Sequence, residues 1–135
     1  MLNCINLLYN DEELYIYAIV DKSLKMTAGK LSAQTGHAFE ASMTQSAISH
    51  PLRYQSYRDS VGGSKVSLEG KNSRALLRAY DLARAANLPC TVVVDRDHVI
   101  PETVFDGKPI ITAISIGPVT KSESRYITKK FNCIK

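Results

Sequence analysis

The run Leu14-Tyr15-Ile16-Tyr17-Ala18-Ile19-Val20 leaves this chain few ways to fold. It is nearly all apolar, so neither face of the strand it forms can sit in water. Such a strand belongs inside a sheet that is covered on both sides. The following residues supply cover. Asp21 to Met26 reads as a loop, and Thr27 is placed to cap a helix running to about Ser49, where His50-Pro51 ends it. Residues 52–60 read as a second, short helix, and Gly62-Gly63 as a break.

Further along, Ser64 to Glu69 alternates as a strand does, with Val66 and Leu68 on one face. Asn72 or Ser73 caps a helix to about Asn87 that carries Leu76, Tyr80 and Ala83 on its apolar side. Leu88-Pro89 closes it. Cys90 to Val94 is a short β-branched strand followed by Asp95; Arg96 to Pro109 is a loop with two prolines and a glycine. Ile110 to Ile116 is a strand closed by Gly117-Pro118, and Thr120 or Ser122 starts a last helix to about Phe131. The order β-α-α-β-α-β-β-α predicts an α/β three-layer sandwich, with a four-stranded, mostly parallel (mixed) sheet and helices on both faces. The last two strands are joined without a helix, which leaves that pair free to be antiparallel.

At 135 residues the chain is long enough for one well-buried domain. We assign it to residues 14–135, with 1–13 as an N-terminal extension. No apolar run approaches the roughly 18 residues that span a bilayer. Met1 to Glu13 lacks a basic segment and turns acidic, unlike a secretory signal, so a cytoplasmic protein with no membrane partner is expected. Cys4, Cys90 and Cys133 show no ligand spacing, which predicts neither a zinc site nor a disulfide framework; Cys90 reads as core. Residues 1–21 hold four acids and no Lys or Arg, whereas residues 22–135 hold 17 basic residues against nine acidic ones, a net of +8. That excess leans toward a polyanionic partner. A solvated basic surface gives the same count.

Chemistry concentrates after the first strand. Lys30, Gln34 and His37 stand at i, i+4 and i+7, so a cation, an amide and an imidazole share one helix stripe. Lys30 falls near the first turn, where unpaired N–H groups favour anions. Asp95 lies past the carboxyl end of a strand, where α/β sheets place functional groups, though turn-forming Asp residues are common there too. No Ser/His/Asp or Cys/His set stands out, which argues against a covalent acyl-enzyme.

Three pieces of this chain resemble the type 2 peptidyl-tRNA hydrolase family. They are Leu24-Lys25-Met26 followed by Gly29-Lys30, Ala33-Gln34 and His37-Ala38; Asp95 after a helix ending in Asn87-Leu88-Pro89; and Thr112-Ala113-Ile114-Ser115-Ile116-Gly117-Pro118. The likeness spans roughly residues 14–133. It implies a four-stranded mixed sheet, a homodimer, and metal-independent hydrolysis of the ester joining a peptide to the 3′ ribose of tRNA, with no cofactor. Such an enzyme recycles tRNA from aborted translation. The family's proposed functional residues correspond to Lys30, Asp95 and Thr112. Lys25, Gln34 and His37 match other residues of the signature and, with Lys22, are the expected substrate contacts. Bound tRNA is expected to be held by its backbone and acceptor end, through Lys22 and Lys25, a stripe of Lys71, Arg74 and Arg78, and the C-terminal Lys121, Arg125, Lys129 and Lys130. One piece departs from the family: Ala-Gly, a basic residue and Thr usually follow the aspartate, whereas here the run is Asp95-Arg96-Asp97-His98-Val99. Val99 has no hydroxyl, and the loop before Thr112 is longer. Thr103 and His98 are the candidates to compensate. The departure also motivates an alternative: a catalytically impaired relative that binds tRNA or protein.

Overall fold

The computed structural model describes residues 12–60 and 63–135. Of the expected extension, residues 1–11 lie outside the described residues, as do Cys4 within it and Gly62 of the expected break. β1 (Leu14–Asp21) is central in a five-stranded sheet. The order is β3 (Cys90–Asp95), β4 (Ile110–Thr120), β1, β2 (Lys65–Gly70) and β5 (Asn132–Cys133). Both faces of β1 are covered, as its apolar run requires. Leu14, Ile16, Ala18 and Val20 point toward α1 (Ala28–Ser49) and α2 (Pro51–Asp59), meeting Ala38, Phe39, Met43 and Tyr57. Tyr17 and Ile19 point toward α3 (Ser73–Ala85) and α4 (Lys121–Thr128), meeting Leu76, Ala79, Ala83 and Ile127. Two covered faces make three layers.

The sheet differs from expectation in two respects. It has five strands rather than four, because Asn132–Cys133 pairs with Leu68 and Glu69 of β2. Two residues are too few to leave a period in the sequence. Its mixed character is as expected, but parallel pairing is the minority: only the β1–β2 ladder is parallel, and it needs the α1–α2 crossover. β1, β2 and β3 do run the same way. However, β3 returns into β4 without a helix, and β4 inserts antiparallel between β3 and β1.

Helix starts follow side-chain caps. The Thr27 hydroxyl accepts from the Lys30 N–H, and Asn72, not Ser73, caps α3. Thr120 caps α4 in a reciprocal box with Glu123. Each cap is worth about 1 kcal/mol. β4 does not stop at Gly117-Pro118 but continues to Thr120. Its register against β1 slips between Tyr15 and Tyr17, so Pro118 sits in an irregularity where its missing N–H breaks no regular ladder. Gly117 has φ +133°, and a Cβ there would lie 2.4 Å from the Tyr15 carbonyl oxygen. The Gly117 carbonyl in turn accepts from the buried Ser42 hydroxyl at 2.5 Å, fastening α1 to β4.

Glu123 ties α4 to α2. Arg53 donates to its two oxygens at 2.5 and 3.1 Å. Burial works to raise the Glu123 pKa, but the hydrogen bonds from Arg53 and the Thr120 backbone outweigh it and hold the pKa below 4.5. Half-burial instead pushes the Cys90 thiol up to about 11, as suits a packing residue.

Two outcomes follow for stability. Gly117→Ala should lower the urea unfolding free energy by about 1–3 kcal/mol from backbone strain alone, with steric overlap adding to it; an unchanged midpoint would contradict the close approach. The Glu123 contribution is complete above its unfolded value of 4.5 and is lost as pH falls through the lower folded value. Wild type should therefore lose more stability than Glu123→Gln between neutral pH and about pH 3, measured by urea titration at each pH.

Candidate active site

The site forms where the first turn of α1 meets the ends of β1 and β3. The Thr27 cap sets that first turn, placing Lys30 on its third residue with the backbone N–H donating to Thr27 Oγ1 at 3.3 Å. From there the side chain reaches the carboxyl end of β3, where Lys30 Nζ donates to Asp95 Oδ2 at 2.5 Å. The pair is largely withdrawn from water, with side-chain exposures of 7% for Lys30 and 14% for Asp95. Lys30 Nζ also contacts His98 Nδ1, and it lies 4.4 Å from the centre of the buried Phe105 ring. One carboxylate, one imidazole and one aromatic face thus surround the ammonium, which suits a cation held out of water.

The long loop after Asp95 is ordered by its own hydrogen bonds. It folds back on itself with Val99 opposite Asp106. The Asp97 N–H donates to the Gly107 carbonyl at 3.1 Å, Gly107 N–H to the His98 carbonyl at 3.1 Å, and Ile100 N–H to the Phe105 carbonyl at 2.8 Å. The φ values of Asp97 (59°), Glu102 (63°) and Gly107 (93°) carry the chain around its bends. This small hairpin delivers both His98 and Phe105 to Lys30. Val99 points outward, 64% exposed. The Thr103 hydroxyl is spent inside the turn, donating to the Ile100 carbonyl at 2.7 Å. Of the two candidates to compensate at Val99, the fold brings only His98 to the lysine.

Thr112 arrives by a different device. Strict alternation along β4 would put it beside Ile114, on the α3 face. Between Val93 and Val94 of β3, however, β4 carries one extra residue, and that residue is Thr112. The bulge turns it toward α1, where its hydroxyl donates to Gln34 Oε1 at 2.5 Å. Thr112 is fully buried. Gln34, one turn after Lys30, lines the open cleft in front of it.

That cleft has a volume of about 470 Å³ and is lined by Thr27, Gly29, Lys30, Ala33, Gln34, His37, Asp95, His98 and Ile100. The structure therefore brings Lys30, Gln34, His37 and Asp95 together, with Thr112 one layer behind. Lys25 and Lys22 are exposed outside the cleft lining, Lys22 beside Glu69 at 3.5 Å. Phe105 carried no signal in the sequence, because a single aromatic in an aperiodic loop marks nothing by itself. Among the described residues no three His, Cys, Asp or Glu side chains gather as metal ligands. Nor is any described helix long and apolar enough to cross a membrane.

Four of the other expected basic residues form a second feature, whose lining does not include Lys121, Arg125 or Lys129. Lys71, Arg74 and Arg78 of the α3 side meet Lys130 across a groove of about 290 Å³ floored by Leu82, Ile127 and Phe131. Lys71 follows the end of β2, and β2 is parallel to β1 and runs the same way as β3. The groove thus begins at the same end of the sheet as Asp95, three strands away from β3.

Comparison with known proteins finds sequence relatives. A "Peptidyl-tRNA hydrolase" of Methanocaldococcus jannaschii is 28% identical over 110 residues, covering 82% of this chain and 90% of the relative. A "Peptidyl-tRNA hydrolase" of Methanopyrus kandleri is 30% identical over 112 residues, covering 82% of this chain and 89% of the relative. Residues 14–134 match the family described as Peptidyl-tRNA hydrolase PTH2, and the chain belongs to that family.

Proposed function

We propose that the Lys30–Asp95 cleft hydrolyses the ester linking a peptide to the 3′ end of tRNA, with these two side chains at the centre of the chemistry. Peptidyl-tRNA hydrolysis is the activity of this protein. The observation that carries the mechanism is the 2.5 Å contact between Lys30 and Asp95 at the mouth of the cleft.

Ester hydrolysis needs a placed water, an acceptor for its proton and stabilisation of the oxyanion. Asp95 uses Oδ2 for Lys30; Oδ1 has no partner among the described residues and is the acceptor for the attacking water. Lys30 supplies positive charge where negative charge develops on the carbonyl oxygen. In a site shielded from water that charge acts at lower effective dielectric than in bulk. Thr112 serves as a positioning residue. Its hydroxyl holds Gln34 Oε1, which leaves the Gln34 amide N–H groups to the substrate. His37, on the same stripe, contacts the terminal ribose or base. The lysine supplies the charge, so the reading requires no metal.

The basic groove supports a backbone-held tRNA running from the cleft past Lys22 and Lys25 to Lys71, Arg74, Arg78 and Lys130. A homodimer in the cytoplasm is the assembly and setting that this reading carries from the family.

Incubation with N-acetyl-aminoacyl-tRNA and a chelator tests activity, substrate and metal independence together. Wild type should release the N-acetyl-amino acid, and Lys30→Ala should lower kcat by about 10²–10³-fold while its circular dichroism stays native. Full turnover by that variant would remove Lys30 from the chemistry. Paired Arg74→Ala and Arg78→Ala changes should raise KM, leave kcat unchanged, and flatten the salt dependence of KM by about one unit of log–log slope per lost phosphate contact. A salt slope equal to wild type would place the tRNA elsewhere.

A further inference from the structure

The ammonium group that supplies the positive charge is already surrounded by protein. The Lys30 side chain is 7% exposed and its Nζ is occupied by Asp95 Oδ2, His98 Nδ1 and the Phe105 ring. His98, in contrast, is 49% exposed along its side chain and lines the cleft. Its backbone is held by the hydrogen bond from Gly107 and its ring packs 6.3 Å from that of Phe105, tilted by 45°.

The contact with Lys30 also decides which ring nitrogen carries the proton. An ammonium has only donors. Nδ1 facing it must accept, so the imidazole is neutral and its hydrogen is on Nε2. Nε2 has no partner among the described residues, which leaves an N–H donor available to the cleft.

We propose that His98 is a catalytic hydrogen-bond donor: its neutral imidazole takes a hydrogen bond from Lys30 at Nδ1 and gives one from Nε2 to the carbonyl oxygen of the substrate ester. This rests on ester hydrolysis at the cleft and names the group that touches the developing oxyanion. The Lys30 charge polarises the ring, so the Nε2–H bond strengthens as the carbonyl oxygen becomes negative. The donor keeps its proton throughout. Water adds to the carbonyl carbon and yields a proton to Asp95; the bond to the ribose oxygen then breaks, and Asp95 returns that proton to the leaving oxygen. His98 only stabilises the charge between these events. Asp95 Oδ2, 3.7 Å from His98 Nδ1, balances the lysine and keeps it in place.

The test uses His98→Ala and His98→Gln in the full chain, with N-acetyl-aminoacyl-tRNA as substrate and Lys30→Ala alongside. Gln keeps a neutral N–H near the position of Nε2; Ala keeps nothing. We expect His98→Ala to lower kcat by about 10²–10³-fold, the usual loss of one oxyanion donor, with KM within about twofold. His98→Gln should recover at least about tenfold of that loss. His98→Ala within about threefold of wild-type kcat would overturn the proposal. So would a Gln variant as slow as the Ala variant, since a role in shape alone is not restored by a donor. Wild type inactive on this ester would instead overturn the hydrolase reading; active wild type with an indifferent His98 overturns this inference alone.

Discussion

A charge withdrawn from water must be matched, and the pairing of Lys30 with Asp95 meets that demand across 65 residues of sequence. Removing one partner of such a pair leaves the other charge without its match. The fold therefore has to bring the head of α1 and the end of β3 to the same point. It does so because β1 is central and apolar on both faces. α1 packs on the face formed by Leu14, Ile16, Ala18 and Val20, and its first turn overhangs the sheet edge where β3 also ends.

Around that pair the remaining devices each have one task. The Thr27 cap sets the direction of Lys30. The β4 bulge takes Thr112 out of the alternation and uses it to hold Gln34. The hairpin after Asp95 brings Phe105 beneath the ammonium and His98 beside it. The opposite face, with α3 and α4, gathers Lys71, Arg74, Arg78 and Lys130 into a groove that starts at the same end of the sheet. The Lys30–Asp95 cleft and the basic groove thus lie on opposite layers of the sheet.

Much of this was legible in the chain. Seven apolar residues in a row marked the central strand, Thr27 and Asn72 marked helix starts, and the Lys30/Gln34/His37 spacing marked one stripe. The family likeness added Asp95 and Thr112. What stayed hidden was set by tertiary contacts. The direction of β4 depends on which strand it inserts beside, so the expected mixed sheet was read as mostly parallel where only one ladder is parallel. β5 is two residues long and carries no pattern. The bulge at Thr112 appears only as a register shift against β3. The roles of His98 and Phe105 depend on a hairpin built from backbone hydrogen bonds and positive φ values at Asp97 and Glu102, neither of which hydrophobic periodicity encodes.

The most direct test of the central claim is a double-mutant cycle on kcat for ester hydrolysis, using Lys30→Ala, Asp95→Ala and the combined variant. If the two side chains work as one unit, the double variant should be about as slow as the slower single variant. If the double variant's loss equals the product of the two single losses, Lys30 and Asp95 act independently, and the paired site described here is wrong.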